Sequence, residues 1–378
     1  MFFLGVALII FGAALHLRGG LPKETVMHII RWLLPACFLL FYTLAREQGA
    51  SPLALIIGLA CGAIISAVSV EAVRTLGVGL PVASPLTGRE SGYLNHPNQY
   101  GILCSTTAPV ILLFYHSRHR LLSAVSLLLL PVWLVCLFQN LSKTNIPLFC
   151  VALLAGSLAL ALKNPRKLLG TFALVLGIAV FVASTATFAL DTIQTISPKG
   201  MRMLEDAFLN PTESKTVDQR GVIWDTAINY LKDHPVVGLG PGKSLELLGI
   251  EHAHNALLQS FLDGGLPGFL GLCCVIIGVF LRVGELLRAE YFAAGKITDE
   301  RMLPLLSSLG AATYVCANMM SDCFSTATMP AFIFFAVFAF SAAAEAPREA
   351  PVLRASARRR PGARRRPDRR IPSDFDAD

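Results

Sequence analysis

With 378 residues, 54% of them hydrophobic and 15% charged, and a mean hydropathy of +0.60, the chain is too apolar for a water-soluble globule and too long for one membrane anchor. The formal net charge of +7 is not spread over a folded surface: residues 347–378 hold ten Arg against five Asp/Glu. That concentration argues against a nucleic-acid-binding domain and for a Pro-broken, disordered tail held near anionic lipid.

A helix needs about 20 mostly apolar residues to cross roughly 30 Å of hydrocarbon. Segments 1–16, 26–45, 52–72, 98–116, 121–139, 146–162, 168–190, 266–283, 302–321 and 326–344 meet or approach that length. The expected fold class is an all-α polytopic membrane protein of about ten transmembrane helices with one large helical periplasmic loop, because spanning backbone must satisfy its own hydrogen bonds. Strict apolar alternation, the mark of a barrel, is missing from the sequence. Segment 1–16 has no positively charged start and no small-x-small cleavage site, so it reads as a short span rather than a signal peptide.

Basic connections set the orientation. Ser117–Arg120, Lys163–Lys167, the Arg282–Arg301 stretch and the Arg-rich tail are expected on the cytoplasmic side. Loops 73–97, 140–145, 191–265 and 322–325 then fall on the other side, with the basic Arg18–Lys23 loop the one exception to the charge rule. Four regions follow: an N-terminal bundle over 1–190, a periplasmic loop over 191–265, C-terminal helices over 266–346 and a cytoplasmic tail over 347–378. Of the nine cysteines, Cys37, Cys61, Cys104, Cys136, Cys150, Cys273, Cys274 and Cys316 fall within spans and Cys323 beside one. None forms a CxxC, so they read as packing residues.

Three polar clusters sit at the outer ends of spans. The first is Asn95-His96-Pro97-Asn98-Gln99-Tyr100; an Asn cap and a proline near a helix start account for part of it. Its density of hydrogen-bonding side chains where lipid begins also suits substrate contact. The second is Gln139-Asn140-Leu141-Ser142-Lys143-Thr144-Asn145, where Lys143 between hydroxyls is placed to hold a phosphate or phosphodiester.

The third is the 191–265 loop, with six Lys/Arg and ten Asp/Glu. Within it Ile223, Trp224, Ala227, Ile228 and Leu231 recur at helical spacing, which predicts a helix over 220–231 lying on the bilayer or against the bundle. Trp224 and Tyr230 are then expected at headgroup level. Asp233-His234-Pro235 should end the helix, since the residue before proline resists helical backbone. Gly238-x-Gly240-x-Gly242 lacks a preceding strand and the spacing of a phosphate-binding loop, and reads as a turn.

Residues 252–268 combine a polar segment, His252-Ala253-His254-Asn255, with an amphipathic run over 256–262. Asp263-Gly264-Gly265-Leu266-Pro267-Gly268 then interrupts the run and opens onto an apolar span. Histidine suits proton transfer near neutrality, and arginine is a permanent cation whose fork fits phosphate oxygens. His254 and Arg220 are therefore the loop's candidate catalytic residues. No HExxH, and no Asp/Glu pair beside a His at ligand spacing, suggests a metal.

His254-Asn255, nine residues, then Gly265-x-x-Gly268 resembles the signature of the O-antigen ligase/polymerase superfamily of bacterial membrane glycan transferases. Arg220-x-x-x-Trp224, the Pro235–Gly242 turn, Asn95-x-x-Asn98 and Ser142-Lys143 resemble further landmarks of that family. It usually has Ser-Arg at the last of these; Lys143 keeps the charge and loses the fork. It also commonly has about twelve spans, against the ten counted above.

The resemblance implies a helical bundle in the bacterial inner membrane with a periplasmic loop over a cavity. It implies an undecaprenyl-diphosphate-linked glycan donor and a lipid- or glycan-linked acceptor hydroxyl, with no nucleotide sugar, metal or other cofactor. In that scheme His254 takes the acceptor's proton. Arg220 and Lys143 neutralise the leaving diphosphate, and Asn255, Asn95, Asn98 and Ser142 contact substrate. Polymerase, protein O-oligosaccharyltransferase and ligase share these motifs. A transporter or flippase would show internal repeats and mid-membrane charges, and the sequence has no such repeat.

Overall fold

The structure is a computed structural model that describes residues 1–48, 145–161 and 215–292, with isolated positions at 76, 177 and between 309 and 319. Among the described residues every regular element is helical. They are α1 (Phe2–Ala14), continued by a 3-10 turn over Leu15–Gly19, then α2 (Lys23–Glu47), α3 (Asn145–Ala161), α4 (Lys215–Asp233), α5 (Ser244–Leu248) and α6 (Ala256–Phe292).

Helices α1 and α6 form the central contact, and glycine lets them close. A Cβ on Gly5 would lie 2.5 Å from the Gly271 carbonyl oxygen, and one on Gly12 would lie 2.5 Å from that of Gly264. Residue numbers rise along α1 as they fall along α6, so the pair is antiparallel. Small residues at such a seam bring backbones together and maximise dispersion contact, the force that remains when the surroundings are as apolar as the side chains. Val6, Ile9 and Ala13 on α1 are buried, as are Leu272, Val275 and Val279 on α6. On the outer faces Phe3, Leu4, Phe11, Leu270, Ile277, Phe280 and Leu281 are exposed, a surface suited to acyl chains.

Four of the expected spans coincide with described helices: 1–16 with α1 and its 3-10 turn, 26–45 with α2, 146–162 with α3 and 266–283 with α6. Ala256–Glu285 is long and apolar enough to cross a membrane; Phe2–Leu17 and Leu148–Leu158 are shorter apolar stretches. The spans expected over 52–72, 98–116, 121–139 and 168–190, and those over 302–321 and 326–344, lie outside the described residues apart from isolated positions. So does the tail over 347–378.

Two boundaries differ from expectation. Helix α6 starts at Ala256, ten residues before the expected span, so the amphipathic run and the span are one element. Asp263–Gly268 kinks it without ending it: Gly265 alone leaves helical geometry, at φ 59 and ψ −154. Pro267 is tolerated because it stands in the first turn after the kink, where its missing N–H is not needed. At the far end α6 runs on to Phe292, past the point where a loop was expected, and Arg282 pairs with Glu285 at 3.2 Å.

The kink is occupied by the turn that follows α4. In an unbroken helix the Leu266 N–H would donate to the Leu262 carbonyl. Here it donates to the Pro235 carbonyl (2.9 Å), while the Leu262 carbonyl accepts from Leu239 (2.6 Å) and Gly240 (3.1 Å). The same turn meets the N-terminal helices: His16 Nε2 donates to the Val237 carbonyl (2.9 Å), Gly240 abuts the His16 ring and Gly242 abuts Glu24.

Gly265 is required twice at this crossing, by its left-handed backbone and because an added Cβ would collide with the Val236 carbonyl. Gly265→Ala should therefore lower stability by roughly 2 kcal/mol or more, from the left-handed penalty plus overpacking. Gly284→Ala, also in α6 but with open space around it, should be neutral or stabilising by up to about 1 kcal/mol. Thermal unfolding of both variants in detergent checks this; an unshifted transition in Gly265→Ala would refute the crossing.

Candidate functional site

His254 has left-handed backbone, φ 51, and is the one non-glycine residue with positive φ among the described residues. Such a conformation costs about 1–3 kcal/mol and persists only where neighbours over-determine it. The neighbours here are specific. The Ala253 carbonyl accepts from Trp224 Nε1 (2.9 Å) and the Ala253 N–H donates to Gln259 Oε1 (2.9 Å), so the preceding residue is held at both its polar groups. On the other side Asn255 Oδ1 accepts the Leu258 N–H (3.1 Å), capping α6.

Gln259 is the hub of this arrangement. It is buried, and its Nε2 donates to Ser244 Oγ (2.8 Å) and to Asp263 Oδ1 (2.7 Å). One side chain thus links the segment before His254, the start of α5 and the next turn of α6. Asp263 is buried too, with Oδ2 3.9 Å from His28 Nδ1 on α2. The His252 ring packs edge-on to that of His254, with centroids 5.0 Å apart.

Arg220 enters through Trp224. The two are four apart on α4 and share a face, and the indole bond to Ala253 lays that face against the segment carrying His254. Helix α4 is held there by its apolar stripe: Ala227 and Leu231 are fully or nearly buried with Ala253 and Leu262, and Ile223, Tyr230, Leu239 and Leu258 pack around them. The Arg220 guanidinium is half-buried, and loss of solvent lowers its pKa from the usual arginine value. Its Nε is buried without a hydrogen bond. A partly desolvated cation attracts an anion more strongly than one in water.

The Trp224 indole N–H holds Ala253, and Tyr230 stacks on His234 with centroids 4.5 Å apart. The glycine turn is a packing joint: Gly238, Gly240 and Gly242 all have positive φ. The Gly238, Leu239 and Gly240 N–H groups donate to His234 and Leu262 carbonyls, so they do not form a phosphate cradle. Lys143, Ser142, Asn95 and Asn98 lie outside the described residues. His254, Arg220 and Asn255 lie within them; His254 and Asn255 adjoin the Gln259 network, and Arg220 stands one helical turn from Trp224, whose indole bonds to Ala253. Ser244 belongs to that network, and His252 packs against His254. Sequence spacing offered one hint of the network, since Gln259 and Asp263 are four apart on one helical face.

Residues 108–273 match the family model described as O-antigen ligase. The match covers just under half of the chain and supports the likeness to the O-antigen ligase/polymerase superfamily. No curated protein matches the chain. The matched stretch contains Ser142, Lys143, Arg220, His254 and Asn255, whereas Asn95 and Asn98 precede it. It ends within α6 and so includes the kink and both glycines of the signature. That likeness suggests a membrane protein of glycan processing.

The capping bond separates two roles of Asn255. Asn255→Ala should lose about 1 kcal/mol of stability, while Asn255→Asp keeps the acceptor oxygen and should stay within about 0.5 kcal/mol of the parent. If Asn255 only caps α6, glycan transfer by Asn255→Asp stays near the parental rate. A loss of transfer at parental stability would assign its amide to substrate.

Proposed function

We propose that the chain transfers a glycan from undecaprenyl diphosphate to an acceptor sugar hydroxyl, as an O-antigen ligase acting on lipid A-core. The supporting observation is the link, through Trp224 and Ala253, between a strained histidine and a half-buried arginine within a domain of that family. The acceptor oxygen attacks the anomeric carbon. As that bond forms, the carbon–oxygen bond to the diphosphate breaks, and the diphosphate leaves with the electron pair. The acceptor's proton passes to the unprotonated ring nitrogen of His254, a general-base step that contributes about 10²–10⁴-fold in rate.

Arg220 and Lys143 neutralise charge on the departing diphosphate, where fixed cations act without reorganisation. Ser142, Asn95, Asn98 and Asn255 contribute hydrogen bonds to the substrates. The scheme needs no metal, nucleotide sugar or cofactor. Its place is the extracytoplasmic face of the bacterial inner membrane, with the tail in the cytoplasm, following the basic connections. A Wzy-type polymerase or a protein O-oligosaccharyltransferase would run the same chemistry on a different acceptor, and acceptor choice resides in loop shape.

The test is transfer in vitro, with purified full-length chain, a lipid-diphosphate glycan and lipid A-core. Transfer should proceed equally with and without chelator. His254→Ala should reduce it at least 100-fold with membrane insertion and thermal unfolding unchanged. An active alanine variant would remove His254 from its role, and chelator sensitivity would exclude the metal-free scheme. Product on a growing glycan alone would identify a polymerase.

A further inference from the structure

A cavity of about 360 Å³ opens beside the His254 segment, lined by Glu24, His28, Arg31, Pro241, Gly242, Leu245, Glu251 and Gln259. Its volume lies in the range of small-molecule sites, about 300–1,000 Å³. Among the described residues none of the lining is on α4, and the walls come from four places: α2, the end of the glycine turn, α5, and the stretch from Glu251 into α6.

The lining selects a ligand by chemistry. Glu24 and Glu251 are exposed and His28 is buried, so two carboxylates stand at the outer part and an imidazole lies deeper, with Arg31 on the same helix as Glu24 and His28. Among the described residues, two carboxylates against one guanidinium disfavour a diphosphate, which would meet more negative charge than positive there. Carboxylates accept from hydroxyl donors, and a guanidinium donates to ring and hydroxyl oxygens. Pro241 and Leu245 add a small apolar surface for a C–H face. A polyol satisfies all of these groups, and a dianion does not.

The cavity also communicates with the chemistry. Gln259 forms part of its wall, and the same side chain holds the Ala253 N–H one residue before His254. A group bound there lies against the element that fixes the histidine's backbone.

We propose that this cavity is a saccharide subsite that seats an uncharged sugar residue of one reacting glycan, with Glu24, Glu251 and Arg31 as its recognition groups. The assignment rests on the glycan-transfer reading for its biological context. It assigns a specificity role to the start of α2, which lies outside the matched O-antigen ligase domain.

The test is direct binding. The probes are the reducing oligosaccharides released by mild acid from the producing strain's lipid-linked glycan and, separately, from its core, with inorganic pyrophosphate as the anionic competitor. Binding to full-length chain in detergent is read by calorimetry and saturation-transfer NMR. One of the two saccharides should bind saturably, pyrophosphate should not displace it, and Glu24→Gln/Glu251→Gln should weaken it at least 10-fold. In transfer assays the same variant should raise KM for that glycan with kcat within 2-fold of the parent.

His254→Ala should bind the saccharide like the parent, so loss of transfer and loss of the subsite remain distinguishable. No saturable binding, unchanged affinity in the double variant, or displacement by pyrophosphate would overturn the proposal. Failure of glycan transfer with saccharide binding intact would overturn the transferase reading alone.

Discussion

The structure depends on an exchange of backbone hydrogen bonds at Gly265. A kinked helix separates a carbonyl and an N–H that would otherwise pair, and burying either alone costs about 1–3 kcal/mol. The Pro235–Gly240 turn supplies partners for both, through the Pro235 carbonyl on one side and the Leu239 and Gly240 N–H groups on the other. Neither element is complete alone. The turn has no regular structure to satisfy its own backbone, and the kink has no intrahelical partner for Leu266. Their union joins α4 and the N-terminal helices to the long apolar helix.

The position of the histidine follows from that joint. With the turn seated, α4 packs its apolar stripe onto Leu262 and Ala253, which brings the Trp224 indole to the Ala253 carbonyl. Gln259 holds the amide of the same residue from α6. Residue 254 then takes the remaining backbone conformation, a left-handed one that a histidine adopts only when its neighbours are fixed. Under the proposed general-base role for His254, strain of this kind would be pre-organisation, with the backbone that carries the ring set before substrate arrives.

Much of this was legible in the residues, for identifiable reasons. The stripe over 223–231 predicted a helix; the observed one runs from Lys215 to Asp233, and its C-terminal end falls at Asp233-His234-Pro235, where proline chemistry requires it. His254-Asn255 and the two signature glycines drew attention to the segment that the structure shows to be strained and kinked. The sequence did not reveal why the glycines are there. Gly-Gly-Leu-Pro-Gly reads locally as a break, and only a second chain segment crossing at Gly265 turns it into a kink within one helix. The partner of Trp224 was not legible for the same reason: the Ala253 carbonyl lies 29 positions along the chain, and helical spacing does not point to it. Gln259 was unremarkable by spacing alone: Asp263 lies one turn on, but Ala253 and Ser244 reach it from outside the helix.

Amide hydrogen exchange of the full-length chain, resolved to single residues, tests the joint most directly. Leu239, Gly240 and Ala253 lie outside regular helix, and the account predicts that their amides, with that of Leu266, exchange as slowly as the interior of α6. Exchange of these four at the rate of an open loop, with the rest of α6 protected, would contradict it.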